Sequence, residues 1–187
     1  MYKSIYVVLL VLAFLSCKKE EDIPFSSSTF VFQDTLISAS VDFYLGDSCT
    51  ISIDSAMDSL FSCFKLEDLQ KTVLNEVVFY SETRAYLKMQ DNNTEYIFDA
   101  LVIPIDNTLI FEFVYEAGFP SRYTAYGSKD SFYFIAGMSG RFETEDEMSI
   151  HYCQSSGMMN EEGFEQLTLK PKQFQISVYY RAPFSKK

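Results

Sequence analysis

Glycine and proline are scarce in this chain of 187 residues, which has seven glycines and five prolines. This scarcity excludes collagen-like and low-complexity sequence, because both are rich in these residues. The chain also lacks a glycine-rich loop that could cradle a phosphate, and it has no serine in a nucleophile elbow. Aromatic residues are abundant instead, with 18 phenylalanines and 13 tyrosines but no tryptophan. Such side chains favour pleated, half-buried strands.

Basic residues are outnumbered by acidic ones, since 15 lysines and arginines stand against 26 aspartates and glutamates. The formal net charge is −11. A nucleic-acid-binding protein needs a basic face to replace counterions, so this balance argues against a nucleic-acid partner. It also argues against binding an anionic membrane through the surface of the folded domain.

Cysteine is limited to four residues. Cys17 lies in the N-terminal segment considered below, which leaves Cys49, Cys63 and Cys153, an odd number. A disulfide between Cys49 and Cys63 would close a short loop, and Cys153 could pair with either of them instead. No two of these cysteines have the spacing of a metal site.

The N-terminus carries the pattern of an export signal. Lys3 is followed by an unbroken apolar run over residues 5–15, eleven residues long. This is the length of a signal-peptide apolar region, and it is short of the roughly 20 residues that cross a bilayer as a helix. The run stops at Ser16 and Cys17 and meets five consecutive charges at residues 18–22. Residues 1–16 are therefore predicted to be a signal peptide.

Residues 14–17, Phe-Leu-Ser-Cys, resemble a bacterial lipobox, although Phe14 stands where the family usually has an aliphatic residue. The resemblance implies that the thiol of Cys17 receives a diacylglycerol, that the signal is cut before it and that the new amino group is acylated. Several acyl chains would anchor the protein stably, whereas one chain binds only marginally. The alternative is an ordinary cleavable signal or an uncleaved anchor in which Cys17 has no special role.

Cys17 and the charges after it, Lys-Lys-Glu-Glu-Asp, further resemble lipoproteins of the Bacteroidota. In those proteins a lysine and acidic residues after the cysteine favour display on the cell surface. The resemblance covers only the first 22 residues or so. It implies an outer-membrane lipoprotein of the cell envelope, attached to the membrane through its lipid.

Three segments are predicted: the signal peptide at 1–16, the lipidated cysteine with a flexible tether at 17–28, and a single β-rich domain at 29–184. The tether is charged and then serine-rich, so it cannot build a core. In the domain, apolar and polar residues alternate with the period of a strand. Two stretches show the alternation clearly, with their apolar sets at Ile37, Ala39, Val41, Phe43 and Leu45 and at Phe174, Ile176, Val178 and Tyr180.

Some eight to ten strands with short connections predict an antiparallel meander that forms a barrel or a sandwich. The size is similar to that of lipocalin-like barrels, but the Gly-x-Trp start of that family is absent. One helical segment is predicted near residues 56–75, with Ser55 as its N-terminal cap and a possible break at Phe64 and Lys65. The inward aromatic residues would either pack as a core or line a pocket. They are Phe43, Phe111, Phe113, Tyr115, Tyr133, Phe174 and Tyr180.

No catalytic residue is predicted. His151 and Cys153 lie two apart and would share the solvent face of a strand, but no third group orients the histidine. The acidic run at 143–147 matches no calcium loop and lacks the glycine of an EF-hand. Asp91, Asn93 and Glu95 have the opening spacing of an EF-hand, but no glycine or closing glutamate follows, so both sets are interpreted as solvated turns. No metal or cofactor is predicted.

Two connections, 137–147 and 155–163, exceed the length of a hairpin turn, and long loops on a rigid scaffold tend to carry recognition. The second contains Met158 and Met159, which are predicted to be exposed, and the two connections together would form a contact surface for a protein partner. The alternative is that both are solvated, mobile loops without a partner. The function expected is non-catalytic binding of a small apolar or glycan ligand, or of an envelope protein. The alternative is a glycosidase-like envelope hydrolase that uses two facing carboxylates.

Overall fold

A computed structural model describes residues 26–91, 94–114, 120–144, 149–159 and 163–187. The predicted signal peptide, Cys17 and the tether up to residue 25 lie outside the described residues, so they stay predictions. Asn93, Tyr115 and residues 145–147 of the acidic run also lie outside them. Within the described part, no helix combines the length and the apolar character that crossing a membrane requires.

The domain is mainly β, as predicted, and it forms a barrel. Strands β1, β3 to β8 and β10 make a closed antiparallel ring of eight, which β10 closes by pairing with both β1 and β8. Strand β2 pairs with the first part of β10, and β9 pairs with the last part of β8. The strands are β1 (Ser28–Phe32), β2 (Ile37–Leu45), β3 (Glu76–Ser81), β4 (Arg84–Asp91), β5 (Thr94–Ile105), β6 (Thr108–Val114), β7 (Pro120–Ser128), β8 (Ser131–Glu143), β9 (Ser149–Ser156) and β10 (Gln173–Lys186).

Phenylalanine rings fill the interior of the barrel. Their centroids lie 5.1 to 6.4 Å apart, mostly in tilted or edge-to-face pairs, the arrangements that aromatic quadrupoles favour. The sequence left two roles open for the inward aromatic residues, core packing and lining a pocket. In this cluster the rings pack as core. The rings of this cluster belong to Phe30, Phe79, Phe111, Phe132, Phe134 and Phe184.

Tyr133 is an exception among the predicted inward aromatics. It follows Phe132 on β8, so the pleat turns it to the outside of the barrel. There it stacks on Tyr126, and Arg181 lies 5.1 Å from the centre of its ring.

The predicted helical segment consists of two helices. They are separated at Phe64 and Lys65, where the sequence predicted a possible break. They are α1 (Ile53–Cys63) and α2 (Leu66–Lys71). The cap of α1 is Ser52 and not Ser55, since the Ser52 hydroxyl accepts a hydrogen bond from the Ser55 N–H at 3.2 Å. The buried side chains of the helices, such as Leu60 and Leu69, join the core at one end of the barrel.

Strand β2 has the predicted alternation, but its apolar face is not buried. Ile37, Val41 and Leu45 are 38 to 50% exposed. The reason is that β2 lies beyond the closed ring, at an edge of the sheet. Phe43 alone among the four larger residues of this set reaches the core, where its ring lies 6.2 Å from that of Phe174.

The predicted connection at 137–147 is shorter than expected, because β8 continues to Glu143. Each residue of β8 from Gly137 to Glu143 pairs with β10 on one side and with β9 on the other. A strand bonded on both sides has its backbone groups satisfied, so it cannot serve as a mobile loop.

The disulfide joins Cys63, the last residue of α1, to Cys153 on β9, with Cα atoms 6.7 Å apart. Of the pairings that the sequence left open, the structure has Cys153 with Cys63 and not Cys49 with Cys63, and Cys49 is a buried free thiol. The short sequence separation was misleading, because the helix carries Cys63 away from Cys49 and places it against the inner side of β9.

Candidate functional site

The outer face of β8 and β10 is covered by the chain that leads into β10. We call residues 163–170 the crossing segment. It is irregular, although part of it has an alternating sequence. The side chain of Gln175 holds it with two hydrogen bonds, donating to the carbonyl of Glu165 at 2.9 Å and accepting from the N–H of Leu167 at 2.8 Å. Gln173 accepts a further one from the N–H of Lys170 at 3.0 Å.

The polar face of β10 is consequently buried. Gln173, Gln175 and Ser177 are at most 3% exposed, although alternation alone predicts that they meet water. The hydroxyls of Ser177 and Ser139 hydrogen-bond to each other at 2.7 Å across the β8–β10 pair. Buried polar groups are tolerated here because these partners satisfy them.

Met158 and Met159 are each 6% exposed, so the prediction of an exposed methionine pair is wrong. The N–H of Met159 donates to the carbonyl of Ile135 at 2.9 Å, which holds the chain against β8. Gly137 makes room, since a Cβ there would lie 2.8 Å from the ring of Phe164 and 2.9 Å from the sulfur of Met159. The methionines belong to the barrel wall.

A cavity of about 560 Å³ opens on this outer face, between β7, β8, β9 and the crossing segment. One part of its lining is polar and includes two arginines and the single histidine. The other part is apolar or aromatic. The polar lining comes from Arg122, Arg141, His151, Gln154, Ser156 and Glu165, and the apolar and aromatic lining from Tyr123, Tyr152, Met158, Met159, Phe164 and Leu167.

Among the residues that line this cavity, Arg141 has a buried hydrogen-bond donor without a partner in the described chain. Its Nε is buried, and no residue in the described part of the chain accepts a hydrogen bond from it. The arginine lies on β8 between Tyr152 of β9 and Gln175 of β10. Both neighbours use their polar atoms elsewhere, because Tyr152 donates to Gln154 and Gln175 holds the crossing segment.

Arg122 is in a different position, since it pairs with Glu112 across β6 and β7. Its Nε donates to a carboxylate oxygen of Glu112 at 3.0 Å, and its terminal nitrogen contacts the same oxygen. The charge of Arg122 is thus largely met within the protein.

His151 and Glu143 form a pair at the rim, with 2.6 Å between the Nε2 atom and the carboxylate. Gln173 also donates to Glu143, at 3.2 Å. The hydrogen bond from Gln173, followed by that from His151, holds the pKa of Glu143 below its ordinary value. Glu143 is therefore an ionised group that positions the imidazole.

His151 and Cys153 do not share a face, contrary to the prediction. The pairing of β8 with β9 shifts register between Arg141 and Phe142. A bulge of this kind changes which residues point outward. His151 consequently meets Glu143 on the outer face, whereas Cys153 meets Cys63 of α1.

The described residues contain no group of three or more His, Cys, Asp or Glu side chains that could hold a metal ion. Comparison with protein-family models, with curated proteins and with solved structures found no match to this chain.

Sequence reasoning missed the two arginines of the cavity and the role of Gln175. Arg122 and Gln175 lie on the polar side of alternating strands, where an exposed side chain is the ordinary expectation. Arg141 fell within the connection predicted at 137–147, which the structure replaces with the end of β8. The one sequence feature that pointed to this site was the short segment of mixed polar and apolar residues before β10. In the structure this segment packs back over the sheet.

Proposed function

We propose that the protein is a lipid-anchored lipoprotein of the cell envelope, held at the outer membrane, that binds a small ligand without catalysis in the cavity beneath the crossing segment. The observation that carries the binding proposal is the Nε of Arg141, buried in the wall of an open cavity without an acceptor in the described chain. The guanidinium of Arg141 has no hydrogen-bond or ion-pair partner among the described residues although it lines the cavity, and a ligand oxygen bound to its terminal nitrogens would supply one.

A small ligand is favoured over a docked envelope protein. The predicted protein contact depended on exposed Met158 and Met159, and both are buried. They instead form part of the apolar lining of a concave site that is large enough for a small organic molecule.

The hydrolase alternative receives no support from the cavity. A glycosidase needs two carboxylates facing each other across the bond that is cut. Among the described residues that line the cavity, Glu165 is the one carboxylate. We therefore do not propose a hydrolase.

The absence of tryptophan from the chain offers a direct test, because one introduced tryptophan is the only such fluorophore. The reporter is Tyr152→Trp, in the cavity, and the matched control is Tyr86→Trp, on the outside of β4. The two tyrosines are 42% and 39% exposed. Both variants are titrated with carboxylic acids, neutral disaccharides, aliphatic alcohols and a small-molecule extract of cell envelopes.

We expect saturable changes in the emission of Tyr152→Trp with at least one of these additions, and no change in Tyr86→Trp. If every addition leaves Tyr152→Trp unchanged at millimolar concentration, or affects both variants equally, the binding proposal fails.

A further inference from the structure

We propose that the ligand of this cavity is an organic monoanion whose carboxylate binds Arg141 and whose apolar body lies against Met158, Met159 and Phe164. This inference rests on the proposed function and specifies its ligand class.

The first argument comes from the hydrogen bonds around Arg141. Its strand neighbours are occupied, since Gln175 holds the crossing segment and Tyr152 donates to Gln154. In the described chain, no acceptor serves the buried Nε. A guanidinium presents a planar fork of donors that a carboxylate can accept at two points. Arg141 lines the cavity, but its Nε is closed to solvent. An oxygen pair entering from the cavity would therefore be bound by the two terminal nitrogens of the guanidinium.

The second argument comes from charge. Arg122 is neutralised by Glu112, and His151 is paired with Glu143. None of the ion pairs among the described residues includes Arg141. Arg141 is therefore a cation of the lining without an ion-pair partner, while Glu165, which is in none of these ion pairs either, adds one negative charge to the lining. This balance favours a ligand with a single negative charge over one with two. A dianion such as a phosphate monoester would bring a second negative charge into a cavity that the carboxylate of Glu165 also lines.

The third argument comes from the apolar lining. Met158 and Met159 are almost fully buried in the wall, and the ring of Phe164 lies beside them over Gly137. Methionine side chains adapt to the shape of a bound apolar group. A small inorganic anion would leave this lining empty, and a neutral sugar would leave Arg141 without a charge partner.

The test uses the full-length chain in phospholipid nanodiscs and three probes with the same phenylpropyl body: 3-phenylpropionate, 3-phenylpropan-1-ol and 3-phenylpropyl phosphate. Affinities are measured by calorimetry. The site is identified by NMR of ¹³C-methyl methionine, in which Met158→Leu and Met159→Leu assign the two signals. We expect the carboxylate to bind about tenfold tighter than the alcohol, as one charged hydrogen-bonded contact allows, and tighter than the phosphate.

The variants separate charge from packing. Arg141→Gln should weaken binding of 3-phenylpropionate about tenfold and leave the alcohol unchanged, whereas Arg141→Lys should retain part of the preference because it keeps the charge without the fork. Arg181→Gln is the matched control, since Arg181 lies over Tyr133 outside the cavity lining. Circular dichroism checks the fold of each variant, and the comparison of probes on the wild type does not depend on any variant.

Equal affinity for the carboxylate and the alcohol would overturn this inference, and so would tighter binding of the phosphate or unchanged binding by a folded Arg141→Gln. If the alcohol or a neutral disaccharide shifts the Met158 and Met159 methyl signals and the carboxylate does not, the ligand class is wrong and the proposed function stands. If no probe and no envelope extract shifts these signals, the proposed function fails as well.

Discussion

At the scale of single residues, Glu143 illustrates how one carboxylate organises the rim of the cavity. It accepts hydrogen bonds from Gln173 and from the ring of His151. These bonds favour the ionised form and lower its pKa, the bond from Gln173 contributing most. A carboxyl whose pKa is lower in the folded chain stabilises the fold above the unfolded value, and that contribution disappears as the pH falls through the folded value.

The corresponding prediction compares wild type with Glu143→Gln. The difference in Tm should shrink as the pH is lowered from about 5.5 to about 3, because protonation of the wild-type carboxylate removes the stabilisation that accompanies its lowered pKa. Differential scanning calorimetry at several pH values measures it. Glu95→Gln, on the exposed start of β5, controls for the loss of one negative charge from an acidic chain. A Tm difference between wild type and Glu143→Gln that is the same at both ends of the pH range would contradict the prediction.

At the scale of elements, the disulfide connects a helix to a strand that lies outside the closed ring. Among the described strands, β9 pairs only with β8, and α1 contacts β8 and β10. The bond between Cys63 and Cys153 spans 90 residues of sequence. A crosslink over so long a loop removes much conformational freedom from the unfolded chain.

We therefore expect Cys153→Ser to lower the free energy of unfolding by about 2–5 kcal/mol, as measured by urea denaturation under oxidising conditions. Cys49→Ser is the control and should keep the disulfide. Peptide mapping without reduction should recover Cys63 linked to Cys153. Recovery of Cys49 linked to Cys63 from the wild type would refute the pairing.

At the scale of the whole molecule, the entry of the tether and the cavity lie toward opposite ends of β10. The end of β10 pairs with β1, where Lys186 faces Phe30, and the start of β10 pairs with β8, where Gln175 faces Arg141. Eleven residues of strand separate these points, a distance of about 35 Å. An anchor at Cys17 would therefore attach through the end of the barrel that lies away from the cavity.

The anchor itself is tested by metabolic labelling with a clickable fatty acid. We expect label on the wild-type chain and none on Cys17→Ala, because the thiol and the amino group of Cys17 are the predicted acylation sites. Cys49→Ala should keep the label and controls for changes in expression. Equal labelling of wild type and Cys17→Ala would remove the basis for the lipoprotein proposal.

The sequence by itself determined the class of fold. The alternation in β10 and the phenylalanine-rich strands are local patterns, and a period of two specifies a strand wherever one face is buried. The helical spacing of the apolar residues near 56–75 and the break at Phe64 and Lys65 are equally local patterns. Such features depend on residues a few positions apart, so they can be inferred without knowing what packs against them.

Only the tertiary structure decided which faces are covered. Alternation divides β2 and β10 into two faces, but β2 exposes its apolar face at a sheet edge, and β10 buries its polar face under the crossing segment. The bulge beside Phe142 separates His151 from Cys153, and the folded chain brings Cys63 to Cys153. The cavity around Arg141 depends on such contacts too, because it forms only where the crossing segment packs over the sheet.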